Sequence, residues 1–158
     1  MTFDADSFRS VLGRFASGVT VITVRDADGR DHGMTVSAFC SASLVPALVL
    51  ACVDNTAAMH GAMDAATHFG VNILAAGQEA ISRRFAGPSA DRFEGLGYTR
   101  GQTGVALLDD VLAHVECRVV DRYPAGDHTI VIGEVQAAAA YAQRPLLYYR
   151  GGYAQLER

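Results

Sequence analysis

The chain has 158 residues, of which 50% are hydrophobic and 19% charged, and its formal net charge is −4 at neutral pH. That length predicts one domain over residues 1–158, which buries about two-thirds of its unfolded surface and needs neither a disulfide nor a metal to fold. The acidic balance argues against a nucleic-acid partner, because nucleic acids select basic faces. No apolar run reaches the roughly 20 residues that cross a bilayer, so no membrane association is expected.

The hydrophobic surplus predicts that apolar surface is hidden in a subunit interface, because monomers rarely expose large apolar patches. Asp4 and Asp6 stand where a signal peptide would carry basic residues, so none is expected. The three cysteines, Cys40, Cys52 and Cys117, are scattered and match no CxxC spacing. Such thiols are typical of a reducing cytoplasm. We therefore expect a cytoplasmic, oligomeric protein.

The first third of the chain predicts a helix followed by a β-hairpin. A helix over residues 7–15, ended by Gly18, would place four apolar residues on one stripe: Phe8, Val11, Leu12 and Phe15. The β-branched residues 18–25 predict a strand. A turn rich in Asp and Gly at 26–31 then leads to a returning strand over 32–39.

The stretch from Gly33 to Thr56 dominates the middle of the chain. It predicts a strand, a turn of small residues, a second strand over 47–53 buried on both faces, and a helix over 55–66. Its first half is crowded with hydroxyl-bearing and small side chains, which beside a buried strand suit a flat ligand with polar edges. Ordinary strand ends and a Ser-rich turn are the alternative explanation.

The rest of the chain predicts strands over 68–75, 112–119 and 128–138, a helix over 78–85, a loop over 87–104 and a turn at 123–127. An aromatic segment follows at 145–153. In the strand over 112–119, strict alternation predicts that His114, Glu116 and Arg118 face water or a subunit contact. Strands separated by turns, with short helices inserted, predict a mainly β fold: an antiparallel β-barrel with helical caps.

The common catalytic motifs are missing from the sequence. It contains no complete GxGxxG, no GxxxxGK[ST], no HExxH and no GxSxG. These absences argue against a Rossmann dehydrogenase, a kinase and a serine hydrolase. The five histidines are dispersed, and His60 and His68 make a poor metal pair, so no metal site is predicted.

Three features remain as candidates for chemistry. The first is the set of donors in Thr35–Ala38 together with Cys52–Thr56. The second is Arg83-Arg84-Phe85, in which an arginine pair suits a phosphate. The third is Gly126-Asp127-His128, a turn that presents an imidazole. Each has an ordinary structural explanation when taken alone, namely a strand end, a solvated face and a turn.

The order and spacing of these segments resemble those of the short-chain flavin reductases, the reductase components of two-component flavin-dependent monooxygenases. The resemblance runs from Phe8 to Tyr153 and is carried by GVTVITV, GMTVSAFCSASLVPALVLACVDNT, FGVNIL, RRF, GDHTIVIGEV and PLLYYRGGY. It implies an FMN-binding split β-barrel, antiparallel and Greek-key-like, that forms a homodimer. It also implies hydride transfer from NADH or NADPH to FMN or FAD, and delivery of reduced flavin by diffusion to a monooxygenase component.

The resemblance also assigns roles by motif match. Thr35, Ser37 and Ala38 would line the isoalloxazine, and Val36 and Ser41 belong to the same cofactor-binding set. Cys52, Val53, Asn55 and Thr56 would surround the ribityl chain and phosphate. Arg83, in preference to Arg84, would lie near the phosphate with Phe85. His128, the candidate catalytic residue, would contact the nicotinamide, with Tyr149 and Arg150 at its side.

This chemistry explains why no acid–base pair stands out, because the flavin carries the redox step and the protein holds and orients the rings. The choices between FMN and FAD, between NADH and NADPH, and between prosthetic group and substrate stay open. Candidates for a 2′-phosphate contact are Arg14, Arg92, Arg122 and Arg150. Alternatives are a non-catalytic flavin carrier or sensor, an oxidase of a phosphorylated amine, and an interaction domain without ligand. The oxidase would want a denser basic pocket than 13 Lys and Arg provide.

Overall fold

The computed structural model describes residues 2–157. Over this range it contains three helices: α1 Ala5–Leu12, α2 His60–Ala65 and α3 Glu79–Ala86. A 3-10 turn at Ala76–Gln78 precedes α3. The strands are β1 Ser17–Gly18, β2 Thr20–Arg25, β3 Asp31–Val36, β4 Phe39–Leu44, β5 Ala47–Asp54, β6 His68–Ile73, β7 Tyr98–Arg100, β8 Ala106–Leu108, β9 Ala113–Ala125, β10 His128–Ala140, β11 Leu146–Tyr149 and β12 Gly152–Gln155.

Seven strands form one antiparallel sheet in the order β3-β2-β6-β9-β10-β5-β4. Side chains from both ends of this order share a single core, so the sheet curls around it as a barrel does. Met63 of α2 and Met59, directly before that helix, close the core. The strand residues in it are Ile22, Val24, Val36, Val49, Ala51, Val53, Phe69, Val71, Cys117 and Val131. The predicted mainly β, antiparallel architecture is confirmed.

A second core lies on the outside of β2 and β6. It contains Val19, Val21, Leu74, Phe85, Leu108, Val111 and Leu146, contributed in part by α3, β8 and β11. Because both of its faces are covered, β2 is buried from Thr20 through Val24. The expectation that residues 47–53 are buried on both faces is wrong, since Leu48, Leu50 and Cys52 are partly exposed. The second core covers β2, and not β5.

Two more predictions for the central stretch are wrong, one in the kind of element and one in where a helix begins. The supposed small-residue turn is strand β4, which pairs with β5 through a hairpin at Val45-Pro46. The helix expected over 55–66 begins only at His60. Residues before it form a turn, because the Asp54 carboxylate accepts hydrogen bonds from the amide and hydroxyl of Thr56, each at 2.8 Å.

Other departures follow from pairing between distant segments. Strand β9 runs through residues 123–125 of the predicted turn, and the turn narrows to Gly126-Asp127. The loop expected over 87–104 contains β7, which pairs with β8. Glu116, expected in water or at a subunit contact, is 5% exposed within a single copy of the chain. Its Oε1 accepts hydrogen bonds from the Thr103 amide at 2.9 Å and from the Thr103 hydroxyl at 2.8 Å.

The hairpin predicted after the first helix is confirmed, with Thr20 opposite Val36 and Arg25 opposite Asp31. The first helix ends earlier than expected, at Leu12. None of the helices in residues 2–157 is both long enough and apolar enough to cross a bilayer.

Candidate functional site

A cavity of about 190 Å³ lies between β3, α3 and the β11–β12 hairpin. The Thr35 hydroxyl donates to the carbonyl of Ser82 at 2.5 Å, which fixes α3 against β3. The Ser82 and Tyr153 hydroxyl oxygens are 2.7 Å apart. The cavity thus combines hydroxyl groups with apolar walls, as small-molecule sites do. Its lining residues are Val19, Thr35, Ser37, Ser82, Ala86, Tyr148 and Tyr153.

The two arginines of α3 have different surroundings. The Arg83 guanidinium carbon lies 4.9 Å from the ring centroid of Tyr153, and Arg83 pairs with Glu79 at 2.8 Å. Its side chain is 66% exposed. Arg84 instead donates to the backbone carbonyls of Asp91, at 2.9 Å, and Glu94. Arg83 therefore offers a cation beside the cavity, whereas Arg84 holds the loop that follows α3.

The next predicted residue, Phe85, lies in the second core. Its side chain is 1% exposed and packs against the Phe93 ring at a centroid distance of 5.1 Å. Gly33 leaves the room for it, since a Cβ there would lie 2.7 Å from the Phe85 ring. Val36 and Val53 are likewise buried in the barrel core. The side chains of Val36, Val53 and Phe85 are therefore part of the two cores.

The two halves of the predicted cofactor segment lie side by side. The Cys52 amide donates to the Ala38 carbonyl at 3.0 Å, which joins the end of β5 to the residues that follow β3. Burial, with a smaller contribution from Cys40, raises the pKa of the Cys52 thiol above its ordinary value. Ser41 is exposed on β4, opposite Val49 of β5.

A second polar cluster surrounds Asn55, directly after β5. Its backbone nitrogen donates to the Asp127 carbonyl at 2.9 Å, and its side-chain oxygen accepts from the Thr129 hydroxyl at 2.8 Å. Asn55 therefore ties the end of β5 to the Gly126–His128 turn. The two hydrogen bonds from Thr56 lower the pKa of the neighbouring Asp54 carboxyl. Asp54 is held as a carboxylate at this edge.

His128 opens β10 and its side chain is 40% exposed. Its Nδ1 lies 2.7 Å from the Asp127 carboxylate. A carboxylate accepts only, so Nδ1 carries the proton and Nε2 is the ring nitrogen left for a ligand.

The other two residues predicted at the nicotinamide lie on a different sheet. Tyr149 and Arg150 belong to the β11–β12 hairpin, which pairs with β1. Arg150 adopts a left-handed conformation, with φ 52°, and its amide donates to the Gly13 carbonyl at 2.8 Å. Across residues 2–157 no hydrogen bond or ion pair joins His128 to either residue. In one copy of the chain, the three predicted residues are not linked.

Sequence reasoning missed Ser82, Tyr153, Thr129 and the hydrogen bond of His60. The sequence indicates Tyr153 only as part of an aromatic segment and His60 only as half of a poor metal pair. The partner residues are distant in sequence, with Ser82 and Tyr153 71 residues apart. Motif spacing carries no trace of such contacts. Within residues 2–157, no group of three or more His, Cys, Asp or Glu is arranged to hold a metal ion.

Comparison with known proteins places these features in a family. The family model for the flavin reductase-like domain matches residues 12–157. A flavin reductase (NADH) from Kitasatospora aureofaciens is 42% identical over 156 residues, which cover 96% of this chain and 82% of that protein. The reductase component of 4-nitrophenol 4-monooxygenase/4-nitrocatechol 2-monooxygenase from Rhodococcus opacus is 41% identical, covering 95% and 80%.

A solved structure agrees with the sequence matches. The Streptomyces globisporus C-1027 NADH:FAD oxidoreductase SgcE6, in complex with NAD and FAD fragments, superimposes with a TM-score of 0.92 at 39% identity. The match covers 97% of this chain and 93% of that one. Two relatives from Rhizobium meliloti are longer, and this chain spans 66% and 49% of their lengths.

Proposed function

This chain belongs to the flavin reductase-like family, with its split β-barrel fold, and we propose that it is an NAD(P)H:flavin oxidoreductase. In that reaction a hydride passes from NADH or NADPH to FMN or FAD. The observation that carries the proposal is the hydroxyl-lined cavity between β3 and α3, with Arg83 at its side. The match over residues 12–157 also supports one flavin reductase-like domain over residues 1–158.

The residues around the cavity fit a flavin. Hydroxyls of Thr35, Ser37 and Tyr153 offer hydrogen bonds to a polar ring edge, and Val19 and Ala86 offer apolar contact. Arg83 is exposed and suits a phosphate, because a guanidinium binds phosphate oxygens in pairs. Asn55 and Thr56, joined to this region through the Cys52–Ala38 hydrogen bond, supply further polar groups for the ribityl chain. Bound flavin supplies the redox chemistry, so this chain has to bind and orient its ligands.

His128 is the candidate for contact with the nicotinamide. Because Asp127 holds the proton on Nδ1, the exposed Nε2 is free to accept a hydrogen bond from an amide such as the nicotinamide carboxamide. Tyr149 and Arg150 lie on the other sheet, so we infer that they reach the same site from a second copy of the chain.

We propose a homodimer on the basis of exposed apolar surface. No residue of α1 is buried, although Phe8, Val11 and Leu12 form an apolar stripe on it and Phe15 follows shortly after its end. Such a stripe on the outside of a small protein is typical of an interface. The exposed apolar residues here are Phe3, Phe8, Val11, Leu12 and Phe15, at 51–82%, with Leu44 and Val45 at 87% and 89%.

We propose that a flavin-dependent monooxygenase component consumes the reduced flavin after it diffuses away. The relative from Rhodococcus opacus, which bears the name of a monooxygenase reductase component, supports this partner. We also propose the cytoplasm as the compartment, since all three cysteines are free thiols.

The test is oxidation of NADH and of NADPH under air, followed by the loss of nicotinamide absorbance, with FMN, FAD or riboflavin added in turn. Oxidation that depends on added flavin is the expected result, and the rates rank the flavins. Flavin binding without oxidation of either nucleotide would favour the carrier. Absence of both would overturn the proposed function.

A further inference from the structure

A chain of hydrogen bonds runs from α2 to the turn that carries His128. The His60 Nε2 lies 3.2 Å from the Thr129 hydroxyl oxygen, and that oxygen lies 2.8 Å from the Asn55 side-chain oxygen. The Asn55 amide group donates in turn to the Gly126 carbonyl at 3.5 Å. Gly126 and Thr129 flank His128 on either side, with Asp127 between Gly126 and His128. This series of hydrogen bonds therefore contacts the turn on both sides of His128, at Gly126 and at Thr129.

The directions of the hydrogen bonds in this series follow from the orientation of the Asn55 side-chain amide. If the Asn55 amide were reversed, its oxygen would face the Gly126 carbonyl, and two acceptors would meet. The Asn55 oxygen therefore accepts, and Thr129 spends its single hydroxyl proton on it. The Thr129 oxygen can then only accept from His60, whose Nε2 must carry a proton. His60 is thus the donor that begins the chain, and it needs no charge for this role.

We propose that His60 is a positioning residue for the nicotinamide, acting on His128 through Thr129 and Asn55. The inference rests on the proposed function, in which His128 contacts the reduced nucleotide. Asn55 also donates from its backbone to the Asp127 carbonyl. The turn is therefore held through its backbone and through the Thr129 side chain, and loss of the His60 donor removes one of the two hydrogen bonds of that side chain.

The glutamine substitution separates the hydrogen bond from the imidazole itself. In His60→Gln the side-chain amide reaches about as far as Nε2 and donates to Thr129, whereas His60→Leu fills the space and donates nothing. Thr129→Val removes the link at the next step. His68→Leu serves as a control, because the only side-chain hydrogen bond of His68 found within residues 2–157 is to its neighbour Thr67.

The kinetic readout is the Michaelis constant for NADH against the turnover number. We expect His60→Leu and Thr129→Val to raise KM about five-fold with turnover changed by less than about two-fold, which is the pattern of lost nucleotide binding. His60→Gln should restore the wild-type KM. Equal KM values for His60→Leu and His60→Gln would overturn the inference.

A second readout does not depend on activity. The ring carbon-bound protons of His128, assigned in NMR spectra by their loss in His128→Gln, report the surroundings of the imidazole. We expect these signals to shift in His60→Leu and to stay in place in His60→Gln and His68→Leu. Unchanged signals in His60→Leu would overturn the inference even in a protein that oxidises no NADH. If the wild type oxidises no NADH but the His128 signals still shift in His60→Leu and stay in place in His60→Gln, the coupling of His60 to His128 stands and only the proposed function is overturned.

Discussion

Gly133 of β10 packs directly beneath the ring of Phe69 of β6, with no room for a side chain between them. A Cβ on Gly133 would lie 2.5 Å from Phe69 Cζ and 2.7 Å from the Cβ of Cys117. Phe69 and Cys117 are both completely buried in the barrel core. The regular pairing of β10 with β9 also breaks between Ile132 and Gly133. This glycine allows β10, the strand that starts at His128, to lie close to the core.

Gly133→Ala should therefore destabilise the barrel. Because the added methyl group meets buried atoms of both β6 and β9, we expect a loss of about 1–3 kcal/mol in the free energy of unfolding, as for other overpacked cores. Chemical denaturation measures it. Gly61→Ala on α2 is the matched control, since a Cβ there meets nothing within 4 Å. Equal stabilities of the two variants would contradict the close packing at Gly133.

Arg83 and Arg84 should differ in what they support. Arg83→Gln removes the exposed cation beside the cavity, so we expect flavin affinity to fall about ten-fold, the size of a lost charge-assisted hydrogen bond. Arg84→Gln removes hydrogen bonds to the loop carbonyls, so it should lower the melting temperature and leave flavin affinity nearly unchanged. Flavin fluorescence titration and thermal denaturation measure the two effects. The reverse pattern would place Arg84 at the phosphate.

Helix α1 should supply part of the dimer interface. Phe15 lies just after α1 and is 82% exposed, so the substitution Phe15→Asp would bury a charge in the proposed interface. We expect light scattering after size exclusion to show this variant as a monomer and the wild type as a dimer. Arg9→Gln on α1 is the control, because the Arg9 side chain is 78% exposed and its only ion pair within residues 2–157 is with Asp6. A Phe15→Asp variant that remains dimeric would exclude α1 from the interface.

Cys117 should be inert in the folded protein. Burial raises the pKa of its thiol to about 12, so the reactive thiolate is scarce and shielded at mildly alkaline pH. When folded, the wild type and Cys117→Ser should show the same number of thiols that react with an aromatic disulfide reagent. After unfolding, the wild type should show one reactive thiol more. Because the pKa of this thiol is higher in the folded protein, burial of the protonated thiol contributes its full stabilisation at pH values below the ordinary pKa of 9.0. That stabilisation declines as the pH rises from 9.0 towards about 12. A native difference of one equivalent would contradict the burial.

Local patterns predicted much of the fold. Alternation, β-branched residues and turn residues located the β2–β3 hairpin and most of the long strands. Strand β4 was missed, since its Ser and Ala residues have low strand propensity and it forms by pairing with β5. Glu116 was misplaced because alternation says nothing about the distant Thr103 that satisfies it.

The candidate site likewise combines segments that the motifs predicted with contacts between distant residues that they did not predict. Of the residues that the motifs predicted, Thr35 and Ser37 line the cavity, Arg83 lies beside its Tyr153, and His128 lies in the turn after Asp127. The contacts that orient them join residues about 70 positions apart, such as Ser82 with Tyr153 and His60 with Thr129. Spacing within a motif cannot encode those pairs, which depend on how the sheet closes.

The most direct test of the proposed activity is an anaerobic titration of the flavin-loaded protein with NADH. Without oxygen, each equivalent of nicotinamide oxidised should bleach one equivalent of the visible flavin absorbance, since a hydride carries both electrons. Deuterium at the transferred position of the nicotinamide should slow that bleaching. Flavin that stays yellow beside a molar excess of both NADH and NADPH would contradict reduction on this chain and leave a flavin-binding carrier.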